Sequence, residues 1–371
     1  MFKKDIYEQI IHIDPDGDKY YVIDNGYKVW LFPAQNMKTG YGVFQVSSYK
    51  GQLVKKVFPY IRFSRIARKL FKCKVLKLKL SDDIKEIIEK YNNGSFNWSA
   101  YYGNLDCKEN NKITFQIFNG KNTNYFVKVS KEEVVKQLFE KEIESLELLN
   151  SKGIKYIPTF GRVEKTEEWS LYIHNTVDEK IKTSFVMNPK YMKLLNDIAD
   201  NTSKKMYLED TEYYEYVDYL KSIIEEDKKI ADIECIKEAI DVIEKWGKEE
   251  RIFTYAHGDF TPWNTYEIAD GAYLFDFEYC IKEAIPYIDY FHFICQENMV
   301  MESKNIKKCM KTYNRDKMAI KKFVEPQIAF IGYLLFIIAF YYKRNADDFN
   351  YSSKQFLYRI KLLEMVLKET N

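Results

Sequence analysis

Asp259 and Asn264, five residues apart in the run Tyr255-Ala-His-Gly-Asp-Phe-Thr-Pro-Trp-Asn264, put a carboxylate and an amide oxygen on one short loop. Twelve residues beyond Asn264, the run AYLFDFEYC supplies two further carboxylates, Asp276 and Glu278. This set suits phosphoryl transfer from a nucleoside triphosphate, which needs little covalent help but does need an oriented hydroxyl and a metal clamp on the phosphates. Asp259 can accept the proton of an acceptor hydroxyl. The Asn264 amide oxygen and the Asp276 carboxylate are hard oxygen donors of the kind magnesium takes, and a β-hairpin would return Asp276 beside the loop.

The spacing HGDxxxxN followed by DFE resembles the catalytic and metal-binding loops of the aminoglycoside phosphotransferase and choline kinase superfamily, with the protein kinase pattern HRDxxxxN and DFG as a distant relative. The resemblance implies Asp259 as catalytic base, Asn264 and Asp276 as magnesium ligands, His257 as a brace for the loop and Glu278 as a supporting carboxylate. It also asks for a strand lysine at the α/β-phosphates and a glutamate on the next helix to orient it. Lys128, inside FVKVS, supplies the first. Glu142 supplies the second, with Leu146 and Leu149 at +4 and +7 on the same helical face, while Glu140 and Glu144 register less well. The turn expected to cover the phosphates, Tyr102 to Lys112, contains a single glycine; Gly103 and Asn104 are its expected nucleotide contacts. Pro286 and Asp289, in EAIPYIDYFHF, resemble the family's Pro and Asp, where the Asp supports the metal loop and caps a helix. The resemblance runs from Trp98 to the C-terminus, and residues 1–92 lie outside it.

Around these residues, NWSAYYG, KITFQIF and NYFVKVS read as strands leading into KEEVVKQLFEKEIESLELLNSKG, a helix that Gly153 closes. YIPTFGRVE and WSLYIHNTV add two more strands. From about Asn188 helical periodicity dominates, interrupted near 252–281 by short β-like pieces. The expected fold class is therefore α+β, a two-lobed protein kinase-like fold. A small β-rich N-lobe occupies 93–187, a larger helical C-lobe 188–371, and a basic α/β appendage 1–92.

Within the appendage, KYYVIDNGYKVWLFP and GYGVFQVSSYK read as strands, with a turn at Asn25-Gly26. Asp14-Pro-Asp-Gly-Asp18 alternates carboxylates, but no Glu stands at the twelfth position from Asp14, so the stretch reads as a turn and not as a calcium loop. Between Asn25 and Ser81 there are 13 Lys and Arg and no Asp or Glu. Tyr60 to Lys72, YIRFSRIARKLFK, reads as one basic amphipathic helix with Phe63, Ile66 and Leu70 at i, i+3 and i+7. Two readings stay open for it: the apolar face packs on its own domain, or residues 50–79 make a peripheral contact with an anionic membrane.

The 371-residue chain is 46% hydrophobic and 30% charged, which excludes disorder and allows two or three cores. Six cysteines without a CxxC pair indicate neither a zinc site nor a disulfide framework and fit a reducing cytoplasm. The N-terminus, MFKKDIYEQIIHIDPD, does not read as a signal peptide. Pro326 to Tyr342 carries no charge, but it falls short of the roughly 20 residues of a bilayer span and reads as a buried core helix.

The expectation is thus an ATP- and Mg²⁺-dependent phosphotransferase, with GTP as the alternative donor, moving a γ-phosphoryl group to a hydroxyl of a small molecule or glycan. A sugar hydroxyl in bacterial surface-glycan metabolism ranks first. Choline or an aminoglycoside is the alternative acceptor, suggested by the acidic run LEDTEYYEYVDY (Leu208 to Tyr219). The competing class is a pseudokinase scaffold, which usually has lost Asp259, Asn264 or Asp276. No nucleic-acid partner is expected, and the expected location is cytoplasmic, extending to the inner face of the membrane.

Overall fold

The computed structural model describes residues 7–26, 28–43, 49–92, 94–103, 111–120, 122–177, 181–300, 305–345 and 349–369. The chain divides into two compact units, Met1–Glu147 with Ile157–Lys180, and Leu148–Tyr156 with Ile181–Asn371.

The first unit is built on one antiparallel sheet. Its strands are β1 (Ile11–Asp24), β2 (Lys28–Pro33), β3 (Cys73–Leu80), β4 (Asn97–Gly103), β5 (Ile113–Asn119), β6 (Asn122–Ser130), β7 (Gly161–Lys165) and β8 (Ser170–Asn175), in the order β3-β1-β2-β4-β5-β6-β8-β7. The sheet runs across residue 92 without a break, because β2 pairs with β4 through Lys28↔Gly103, Val29↔Tyr102, Trp30↔Tyr101 and Leu31↔Ala100. The three appendage strands therefore extend the same sheet as the five that follow.

Alternation explains why β1 and β2 are apolar at consecutive positions. Tyr20 and Val22 join a core with Ile84 and Ile88 of the helix Asp82–Asn92, whereas Tyr21 and Ile23 join a second core with Phe58 of the helix Tyr49–Ile61. A strand covered on both sides has no polar face to show. Gly26, at φ 91, makes the β1–β2 turn, and the Asn25 side chain accepts from Lys28 N at 2.8 Å. At Asp14 to Asp18, β1 carries a register irregularity, and Asp16 N donates to Asp14 Oδ1 at 2.7 Å, the self-bonding of a turn.

Two appendage readings are corrected. GYGVFQVSSYK is not a strand where it is described: Met37–Gly40 and Tyr41–Val43 are helical turns, held because Val43 N donates to the buried Gln116 side chain at 2.9 Å. YIRFSRIARKLFK is not one helix. It holds the end of Tyr49–Ile61 and a separate helix, Arg65–Leu70, whose N-cap Ser64 accepts from Ala67 N at 3.3 Å. Nor do Phe63, Ile66 and Leu70 pack on their own domain, since each is at least two-thirds exposed.

The second unit is mainly helical. The helix Pro326–Arg344 is long and apolar enough to cross a membrane by length and composition, yet Ala329–Ala339 is buried against the helices Tyr214–Glu226, Glu234–Trp246, Ile288–Val300 and Lys354–Leu367. An all-round apolar helix belongs at the centre of such a packing. Two small sheets lie in this unit: β9 (Lys204–Met206), β10 (Arg251–Ala256) and β13 (Ile281–Ala284) form one, and β11 (Thr265–Glu267) with β12 (Ala272–Leu274) the other. They carry the HGD loop and the DFE segment.

Candidate active site

In the first unit Lys128 lies on β6, opposite Thr114 of β5 and Tyr172 of β8. Its ammonium sits 2.7 Å from Glu142 Oε2, with both side chains almost fully buried, and 5.3 Å from the Tyr172 ring centroid. The helix Glu133–Ser151 delivers the carboxylate because Val135, Phe139, Glu142, Leu146 and Leu149 follow at spacings of four and three and all face the core. Glu140 and Glu144 point to solvent. A lysine buried to this degree must keep a carboxylate partner, so the pair fixes the ammonium in one place. Gly103 closes β4 and is buried; a Cβ there would meet the Tyr101 hydroxyl at 2.8 Å and Lys28 Cγ at 2.9 Å. Asn104 lies outside the described residues.

In the second unit the HGD loop leaves β10 and is held through the backbone amides of His257, Gly258 and Asp259. Asp289, near the start of the helix Ile288–Val300, accepts from His257 N at 2.7 Å on one carboxylate oxygen and from Gly258 N at 2.9 Å on the other. Burial pushes the Asp289 carboxyl above the usual carboxylate range, against the pull of these two donors. Gly258, at φ 78, is a position only glycine fills, since a Cβ there would fall 2.0 Å from Tyr279 O.

The tautomer of His257 follows from its neighbours. Its Nε2 faces Phe275 O at 3.0 Å, which can only accept, so Nε2 carries the proton; Nδ1 then accepts from Asp259 N at 3.2 Å. One neutral imidazole thus joins the HGD loop to the residue that precedes Asp276. Phe275 N donates to Asn264 O at 3.2 Å and makes a second tie between the same segments.

Asn264 donates through its amide nitrogen to Asp259 O at 3.0 Å and to Asp259 Oδ2 at 2.8 Å. Both acceptors lack a proton, so the amide orientation is fixed and the amide oxygen is left for another partner. Asp276 adopts φ 74, a left-handed conformation uncommon outside glycine. An amide oxygen and a carboxylate on two segments locked together form a donor set for a hard divalent cation such as magnesium. Glu278, two residues on, is buried.

Sequence reasoning missed His292. Its Nε2 lies 3.0 Å from Asp259 Oδ1, and the side chain is buried. The signal was its position three residues after Asp289, on the helix face that meets the loop. Asp259 itself remains partly open, at 28% side-chain exposure, so a second molecule can reach a carboxylate whose two oxygens are held by Asn264 and His292.

No protein-family model and no curated protein matches the chain by sequence. Solved structures do match by shape. The choline kinase LicA from Streptococcus pneumoniae superposes with a TM-score of 0.50 at 15% identity, covering 78% of this chain and 100% of that one. The aminoglycoside 2'-phosphotransferase-IIIa, in its GDP complex, gives 0.49 at 13% identity, over 78% and 98%. Spectinomycin phosphotransferase APH(9)-Ia, with ADP and spectinomycin, gives 0.45 at 14% identity, over 78% and 97%. The likeness to LicA establishes the fold: an antiparallel sheet lobe and a helical region of the kinase-like type.

Proposed function

We propose that the protein is a phosphotransferase that moves the γ-phosphoryl group of a nucleoside triphosphate to a hydroxyl group. The observation that carries this reading is the paired hold on Asp259: Asn264 on one carboxylate oxygen, His292 on the other, in a group still partly open to solvent. In the step proposed, the acceptor oxygen bonds to the γ-phosphorus as the bond from that phosphorus to the β-bridging oxygen breaks. The hydroxyl proton passes to the Asp259 carboxylate, and the nucleoside diphosphate leaves. Lys128, held by Glu142, is assigned to the α/β-phosphates, with the backbone at Gly103 and Asn104 as further contacts. Asn264 and Asp276 would hold magnesium, with Glu278 in support; when bound, the ion neutralises charge on the phosphates. His257 and Asp289 hold the loop.

The acceptor reading is finer. Small-molecule kinases stand among the structures of similar shape, and a sugar hydroxyl of a glycan intermediate is proposed first, with choline or an aminoglycoside as alternatives. The division into 1–92, 93–187 and 188–371 is kept as the proposed assignment of appendage and lobes, and a cytoplasmic location is proposed with it. The test is transfer of labelled phosphate from ATP and GTP across sugars, glycolipid intermediates, choline and aminoglycosides. Transfer to any hydroxyl acceptor that is lost in Asp259→Asn supports the reading; no transfer to any of them, with no thermal shift by MgATP, refutes it.

A further inference from the structure

Twelve large apolar side chains are exposed among the described residues, and six of them, Leu53, Val57, Tyr60, Phe63, Ile66 and Leu70, fall within eighteen consecutive positions. Tyr60 and Ile66 are each 83% exposed. Singly exposed apolar residues are ordinary, but a run of them marks an interaction surface. On the helix Tyr49–Ile61 the inward side is taken by Val54 and Phe58, which join the core. Leu53, Val57 and Tyr60, at i, i+4 and i+7, make a second stripe about 100° round the helix. On the helix Arg65–Leu70, Ala67 is buried while Ile66 and Leu70, one turn apart, face outward.

The turn between the helices is held in place. Arg68 Nη1 donates to Arg62 O at 3.0 Å and Phe63 O at 2.9 Å, Arg62 donates to Pro59 O, and its guanidinium lies 4.3 Å from the Phe63 ring centroid. The exposed stripe is thus preformed. The cations beside it are uncompensated: Lys56, Arg65, Lys69 and Lys72 are exposed and make no ion pair among the described residues, and no Asp or Glu occurs from 25 to 81.

We propose that these two helices form a docking surface for an anionic bilayer, with the apolar side chains entering the headgroup boundary and Lys56, Arg65 and Lys69 engaging the anionic headgroups. A second copy of the chain is a poor occupant, because a two-fold contact would set these cations against themselves. The inference does not rest on the catalytic reading.

The test is co-sedimentation of the full chain with vesicles of phosphatidylcholine alone and of phosphatidylcholine mixed with phosphatidylglycerol, at low and high salt. Binding to the mixed vesicles alone is expected, weakening as salt rises. Lys56→Gln with Arg65→Gln and Lys69→Gln should lower partitioning by about two orders of magnitude at low salt. Phe63→Ser with Ile66→Ser and Leu70→Ser should lower it by about tenfold or more. All six positions are exposed, and unchanged circular dichroism and melting confirm that the variants fold. Equal binding to both vesicle types, or none to either, overturns the proposal. So does a serine variant that binds as wild type, or equal capture by polyglutamate beads, which would assign the surface to an acidic macromolecule.

Discussion

His292 Nε2 stands 3.0 Å from Asp259 Oδ1, while Asn264 Nδ2 stands 2.8 Å from Asp259 Oδ2. Facing a carboxylate, each nitrogen donates, so the two side chains fix the plane of the carboxyl group from opposite oxygens. Replacement of His292 should therefore act through geometry. His292→Leu is expected to lower kcat by about tenfold to a hundredfold with the KM for ATP unchanged, and His292→Gln, which keeps a donor, should recover part of the loss. Steady-state kinetics with an identified acceptor measures the split; a change in KM alone would remove the positioning role.

Asp259→Asn should keep fold and nucleotide binding and lose about 10² to 10⁴ in transfer rate, because the side chain keeps its size but no longer takes a proton. Phosphate transfer and thermal melting, measured on the same preparation, check both halves. Transfer within a few-fold of wild type would assign the base elsewhere.

Asp276→Ala should abolish the rise in melting temperature produced by MgATP. An unchanged shift would mean that the metal is held by other residues.

Lys128→Met removes the lysine from a fully buried carboxylate and should destabilise the protein by about 3–5 kcal/mol, whereas Lys128→Met with Glu142→Leu should regain most of that stability. Nucleotide binding should stay lost in both. Urea denaturation reads the first pair of outcomes and nucleotide titration the second; a double variant that binds MgATP as wild type would detach the pair from the nucleotide.

Gly258→Ala forces a methyl group to within 2.0 Å of Tyr279 O at φ 78, so either the HGD turn or the Tyr279 backbone must move. A loss of about 1–3 kcal/mol or more is expected, together with loss of transfer, since Asp259 follows directly. A variant with wild-type melting and turnover would show that the turn relaxes without cost.

Where one local rule governed a residue, the sequence made its place legible. Glu142 could be chosen over Glu140 and Glu144 because leucines at +4 and +7 mark the inward side of its helix, and it is buried there. The Asn25-Gly26 turn and the Gly153 helix end were readable because only glycine takes those backbone angles without strain. His292 escaped because its partner lies 33 residues away and its one signal, a place one turn after Asp289, does not say that the contact with the HGD loop continues along the helix. GYGVFQVSSYK escaped for a similar reason: its alternation suggests a strand, but the buried Gln116 side chain holds Val43 N in a turn.

The pairing of β2 with β4 has a consequence for any attempt to isolate a minimal catalytic fragment. A chain begun at residue 93 would lose β1, β2 and β3 together and bare one whole side of β4, where Ala100, Tyr101, Tyr102 and Gly103 now pair with β2. Unpaired amides and carbonyls along a strand of Trp98, Tyr101 and Tyr102 are a template for adding strands from other molecules. Such a fragment should aggregate on expression even though it would keep Lys128, Glu142 and the HGD loop. The appendage thus also acts as a guard strand for the lobe that binds the nucleotide in the proposed reaction.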